Sequence, residues 1–198
     1  MTFRNAWIGL IACVSLGAGS AAAALDIQTT IIRPGEDKLE ITRIPSPGGE
    51  VVLPTRKDRL QNHDQYLYAA ARRAGDFVYI AGVVVGRLPG EGSDAEALKG
   101  QLRRAFATLD RNLKAAGAGM ADVVDMQTFA VFGGPNFKGD MTAELTAYAE
   151  VKSEFMKAPY PAETMVGVSA LVEPEGVMEI RMVAYAPRKS ARHHKTRR

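Results

Sequence analysis

The chain has 198 residues, 46% of them apolar, which is enough for one sizeable core and tight for two domains. Its formal charge of +3 sits at the ends: positions 188–198, "RKSARHHKTRR", hold six of the 25 basic residues and no acid, and Arg4 is the only charge before Asp26. The body between has 18 basic against 22 acidic residues, which excludes a nucleic-acid surface built on net charge, because phosphate binding needs a basic face.

The first element is "MTFRNAWIGLIACVSLGAGSAAAALD": one basic residue, an apolar run from Ala6 to about Ala18, then small residues to Ala24. That is the pattern of a secretory signal peptide over residues 1–24, so the mature protein is expected to be periplasmic or secreted, with no membrane contact after cleavage. Two other readings use the same residues. A retained anchor would need about 20 apolar residues, more than are present, and a lipobox ending at Cys13 ("LIAC") would leave an unusually short apolar region. Cleavage near Ala24 removes the single Cys and the single Trp, leaving no disulfide and no thiol nucleophile in an oxidising compartment.

Residues 25–65 are broken by Pro34-Gly35, Pro45, Pro47-Gly48-Gly49 and Pro54, with "KLEITRI" and "EVVLP" as short apolar stretches. They read as an N-terminal extension, an extended arm or a hairpin. "FVYIAGVVV", Phe77 to Val85, reads as a buried strand. Asp94 then caps a helix to about Ala116, with Leu98, Leu102, Ala105, Phe106, Leu109 and Leu113 on one face and Gly117 and Gly119 ending it. A second strand spans Asp122 to Phe132. A second helix, about Met141 to Met156, is expected to bury Met141, Leu145, Tyr148 and Phe155. Strands at about 164–172 and 177–185, joined by "EPEG", complete the series. Two helices with one apolar stripe each call for a mixed sheet with both helices on one face, an α+β domain. In the last strand, Met178, Ile180, Met182 and Ala184 then face the helices. Val177, Glu179, Arg181, Val183 and Tyr185 face the other way, as expected of a surface covered by another subunit or lining a pocket.

Common catalytic signatures are missing. There is no dinucleotide or phosphate loop and no G-x-S-x-G elbow. His63 is the only histidine outside the tail, so neither a His-based triad nor a multi-His metal site is expected, and no cofactor is implied. His193-His194 belong to a charged tail that reads as solvated.

Taken in order, "AGDFVYIAG", Gln101 and Asn112, "AAGAGMADVVDMQTF", "YAEVKSEF", "YPAETMVGVSAL" and "MEIRMVAY" form a series. Over Tyr66 to Pro187 it resembles the reactive-intermediate deaminase family (RidA, also called YjgF, long labelled endoribonuclease L-PSP). The resemblance implies a chorismate-mutase-like fold over residues 66–187, a homotrimer with small-molecule pockets at its interfaces, and hydrolysis of reactive enamines and imines to keto acids and ammonia.

It also implies roles for individual residues. Glu179 matches the pocket acid credited with orienting or activating water, and Tyr68 matches a tyrosine at the pocket mouth. Ala81-Gly82-Val83 stands where relatives carry Ser-Gly-Gln, so Ala81 lines the site without a hydroxyl. Glu163 stands where the family places the Arg that clamps the substrate carboxylate, a reversal of charge at a bidentate contact. Arg181 stands where many relatives carry a second acid. Two arrangements follow for the exchanged pair: a structural salt bridge between Glu163 and Arg181, the favoured one because buried charges are normally paired, or an anion site at Arg181 with Glu163 holding it. The resemblance leaves three functional classes. One is an imine or enamine hydrolase whose standard 2-imino acid activity is in doubt. Another is a non-catalytic binding trimer, whose two glutamates favour a cation. The third is contact of the basic tail with an anionic polymer, nucleic acid being the less favoured one.

Overall fold

The computed structural model describes residues 38–188 together with Ile31, Arg33, Gly35 and Glu36; the signal pattern, Cys13 and the tail beyond Arg188 lie outside the described residues. The Pro47-Gly48 pair closes a hairpin between β1 (Leu39–Ser46) and β2 (Gly49–Thr55), with Gly48 at φ +77°, a left-handed conformation that favours glycine. A π-helical turn, Asp58–His63, leads to β3 (Ala71–Ala74) and β4 (Phe77–Gly86). Helix α1 (Ala95–Ala115) follows, then β5 (Val123–Ala130), α2 (Met141–Phe155), β6 (Ala162–Gly167) and β7 (Gly176–Tyr185). The seven strands form one sheet in the order β1-β2-β3-β4-β7-β5-β6, antiparallel except for β5 and β6. That parallel pair is joined through α2, the kind of crossover a parallel connection needs.

Each helix starts where an aspartate satisfies an orphan N–H: Asp94 accepts from Ala97 N at 2.9 Å and Asp140 from Ala143 N at 2.8 Å. The end of α1 is held by arginines from the sheet. Arg73, buried, donates to the carbonyls of Ala116, Gly117 and Ala186 at 3.0, 3.0 and 2.7 Å, and Arg43 donates to Ala115 O at 2.6 Å. These cations meet the negative end of the helix dipole. The α1 stripe Leu98, Leu102, Ala105, Phe106, Leu109 and Leu113 is fully engaged against Val78, Ile80, Met178, Ile180 and Met182, so both helices cover one face of the sheet.

Three local readings change. Strand β3, "ARRA", has no β-branched residue to announce it; pairing with β2 and β4 on both sides supplies the strand. Strand β6 ends at Gly167 rather than near Val172. The buried row of α2 is Glu144, Ala147, Tyr148 and Val151, while Met141 is exposed. The apolar periodicity misplaced this face because its centre is an acid. Glu144 is 0% exposed, both of its carboxylate oxygens lack a partner among the described residues, and burial pushes its pKa up to about 7.

Candidate functional site

The alternation of β7 sends Met178, Ile180 and Met182 into the core and Glu179 and Arg181 to the uncovered face. Opposite Arg181 the ladder is irregular. Ile80 pairs with Met182 and Val83 with Ile180, so Ala81 and Gly82 together face one residue of β7, a β-bulge. The Glu179 side chain lies over this bulge, so close that a Cβ on Gly82 would stand 1.7 Å from its Oε1. Glycine at position 82 is therefore a packing requirement of the glutamate. Glu179 is half-buried, makes no hydrogen bond or ion pair among the described residues, and burial raises its pKa above the usual carboxylate range.

Tyr68 stands beside it. Burial, and then the charges of Asp58 and Glu179, push its phenol up to about 12, so it is a neutral hydrogen-bond donor at ordinary pH. The preceding residue, Leu67, is held at φ 60° while its side chain projects into solvent, 85% exposed. A left-handed leucine is costly, and such conformations persist where the surroundings over-determine them.

Tyr68, His63, Arg72, Tyr79, Ala81 and Arg181 line an open groove of about 550 Å³ on the uncovered face. Behind the bulge, a polar cavity of about 40 Å³, bordered by Asp58, Asn62, Tyr68, Gly82, Thr108 and Asn112, has room for about one water. This constellation offers a carboxylate that holds a proton more readily than usual, a neutral phenol, and guanidinium groups that can receive an anion.

Glu163 lies elsewhere. Register places it beside Met126, which pairs with Met182, so its side chain shares the helix-facing side of the sheet. There its Oε1 accepts from Tyr148 Oη at 2.5 Å and from Thr128 Oγ1 at 3.2 Å, and its Oε2 is paired with Lys152 Nζ. Burial opposes its charge, but the bonds from Lys152 and Tyr148 outweigh this and hold its pKa below the ordinary glutamate range. Although β6 is an edge strand, the Glu163 side chain is only 21% exposed. The expected Glu163–Arg181 salt bridge does not form, because the two side chains leave the sheet on opposite faces. Arg181 instead donates to Gln127 Oε1 at 3.2 Å, across the β5–β7 ladder.

The structure thus brings Glu179, Tyr68, Ala81 and Arg181 together and sets Glu163 apart. It adds Tyr79 of β4, His63 of the π-helical turn and Arg72, the last missed because β3 was not read as a strand. Once it is, alternation in "ARRA" sends Arg73 inward and Arg72 out. Among the described residues, no group of three or more His, Cys, Asp or Glu side chains is arranged to hold a metal ion.

The family model described as Endoribonuclease L-PSP matches residues 57–186. The RutC family protein YjgH of Escherichia coli K12 is 33% identical over 124 residues, covering 62% of this chain and 86% of its own. A 2-iminobutanoate/2-iminopropanoate deaminase of Dermatophagoides farinae is 28% identical over 104 residues, covering 52% of this chain and 74% of its own. Among solved structures, Rv2704 of Mycobacterium tuberculosis, a member of the YjgF/YER057c/UK114 family, superposes with a TM-score of 0.51 at 28% identity, over 64% of this chain and 92% of that one.

Proposed function

The chain belongs to the endoribonuclease L-PSP family, the RidA/YjgF group in which one relative carries the name of an imino-acid deaminase, and from that premise we propose that it hydrolyses the C=N bond of small, reactive imines and enamines in the outer-face groove. The observation that carries this reading is Glu179: a half-buried carboxylate with no partner among the described residues, laid over a bulge where Gly82 leaves room for it, near the neutral tyrosine and the arginine that line the groove. Glu163 is engaged by Lys152, and Glu144, though without a partner among the described residues, is sealed in the core away from any substrate. Glu179 is left for something else.

The chemistry needs two proton transfers. Water adds to the imine carbon while Glu179 takes its proton and returns it to the nitrogen; the carboxylate then takes the hydroxyl proton of the carbinolamine and delivers it to the leaving nitrogen, so that the C–N bond breaks to give a keto group and ammonia. A carboxyl whose pKa lies above the usual range serves both directions of that transfer better than an ordinary one. The phenol of Tyr68 donates to the substrate, and Arg181 receives its carboxylate. This last role answers the charge reversal at Glu163: the resemblance places the family's clamp there, this chain's glutamate is committed to α2, and a cation is offered from β7 instead.

The same reading makes the protein an exported homotrimer. The signal pattern of residues 1–24 carries the export, and an aromatic cluster on the uncovered face supports the assembly: the Phe77 ring lies tilted against those of Tyr79 and Tyr185, with centroids 6.5 and 5.3 Å away, and all three remain exposed in the single chain. The test is ammonia release from freshly generated 2-iminopropanoate and 2-iminobutanoate by the mature protein. Turnover above the spontaneous rate, lost in Glu179→Ala, is expected; a rate equal to buffer for both compounds contradicts the reading.

A further inference from the structure

The groove holds two guanidinium groups that no carboxylate among the described residues neutralises. Among those residues Arg72 donates to Pro47 O, at 3.3 Å, and Arg181 to Gln127 Oε1, at 3.2 Å, which leaves most of the five N–H donors of each for a ligand. Neither is ion-paired among the described residues, unlike Arg43, Arg87, Arg103, Arg104 and Arg188, each of which meets a carboxylate within 2.8 Å. Register fixes their spacing. Arg72 pairs with Tyr79, Tyr79 with Val183, and Arg181 lies two residues from Val183 on the same face. Two strand spacings sideways and two residues along put their Cα atoms about 12 Å apart. In the structure the two guanidinium groups lean apart, Arg72 toward Pro47 and Arg181 toward Gln127, and turned over Tyr79 instead they can meet the two ends of a short dicarboxylate lying between them.

We propose that this groove selects substrates with two anionic ends, imines of short dicarboxylic acids, with Arg181 receiving the carboxylate next to the imine carbon and Arg72 the distal one. The proposal rests on the hydrolase reading above and sharpens it. A monocarboxylate would need one guanidinium and would leave the other to face an apolar chain end. Two charge-assisted, bidentate contacts at opposite ends also set the length of the ligand, which a single clamp does not. Of the other outer-face groups, Glu179 repels a distal carboxylate only from its own end, beside the reacting carbon, and Asp125, next to Val183 in register, is ion-paired with neither arginine.

Isothermal titration of the full mature protein with 2-oxoglutarate and with 2-oxobutanoate, keto acids that stand for the products, tests this. Binding of 2-oxoglutarate at least tenfold tighter is expected. Arg72→Gln should bring the ratio of the two dissociation constants toward one, Arg72→Lys should keep part of it, and Arg181→Gln should weaken both ligands tenfold or more. Equal affinities in the unmodified protein, or a ratio that survives Arg72→Gln in a protein with unchanged thermal unfolding, overturns the proposal. Ammonia release separates it from the reading beneath. Turnover of 2-iminobutanoate without a dianion preference removes the proposal and keeps the hydrolase; a dianion preference without turnover of 2-iminosuccinate or 2-iminobutanoate keeps the proposal and removes the hydrolase.

Discussion

At the scale of single residues, three glutamates of one chain are put to three uses by their surroundings alone. Glu144 is closed off from solvent and has no hydrogen-bond partner among the described residues, so the folded state holds its proton up to a pH of about 7, whereas the unfolded chain releases it near 4.5. Stability is therefore lost as pH rises from the second value to the first, by about 3 kcal/mol in full, the free-energy equivalent of that shift. Urea unfolding at pH 5 and pH 8 should show the loss in the unmodified protein and a much flatter response in Glu144→Gln. Glu163 behaves in the opposite sense: its pKa is held down by Lys152 and Tyr148, so its contribution is present at neutral pH and disappears as pH falls through its folded value. Glu163→Ala removes the acceptor shared by Lys152 and Tyr148, leaving the buried phenol only Thr128 Oγ1, and should cost about 1–3 kcal/mol in the same experiment, with imine turnover retained. Glu179, whose pKa burial raises, lies over the bulge at Gly82 beside the groove-lining Ala81, and in the proposed hydrolase it should give kcat/KM an acid limb displaced above the usual glutamate range. Gly82→Ala supplies a direct check on its placement. The added methyl meets the end of a flexible side chain, so the fold should tolerate it while turnover falls tenfold or more, read by ammonia release beside thermal unfolding.

At the scale of elements, what was legible depended on whether a segment's own residues or its neighbours decide its structure. Helix α1 announces itself through Asp94, six apolar residues at helical spacing and the glycines after it, and the structure follows that reading to within a residue. β7 was equally plain, because alternation alone assigns Glu179 and Arg181 to the uncovered face. β3 was not, since "ARRA" becomes a strand only through partners on both sides, and with it went Arg72 and the groove's second cation. The face of Glu163 was also hidden: a sequence does not tell which way a short edge strand turns, whereas its register with Met126 does. The element with most at stake in one side chain is the end of α1. Arg73→Ala removes a buried guanidinium from the carbonyls of Ala116, Gly117 and Ala186, and denaturant unfolding should show a loss of about 2–3 kcal/mol, the range for hydrogen bonds to charged groups and for acceptors left unsatisfied.

At the scale of the whole molecule, the chain divides its labour between the two faces of one sheet. The helix-covered face carries the core and, at Glu163, a satisfied network; the uncovered face carries the bulge, an aromatic cluster, and a glutamate and two arginines with no ion-pair partner among the described residues. In the proposed trimer the second face is shared between subunits, so Tyr185→Glu should lower both the mass seen by sedimentation and the imine turnover. The account stands or falls on which glutamate does chemistry. Its most direct test compares kcat/KM for 2-iminobutanoate in Glu179→Gln and Glu163→Gln. Loss of general acid-base catalysis predicts a fall of about 10²–10⁴ for the first and less than about tenfold for the second. A Glu163→Gln enzyme as impaired as Glu179→Gln, or a Glu179→Gln enzyme at full rate, would contradict it.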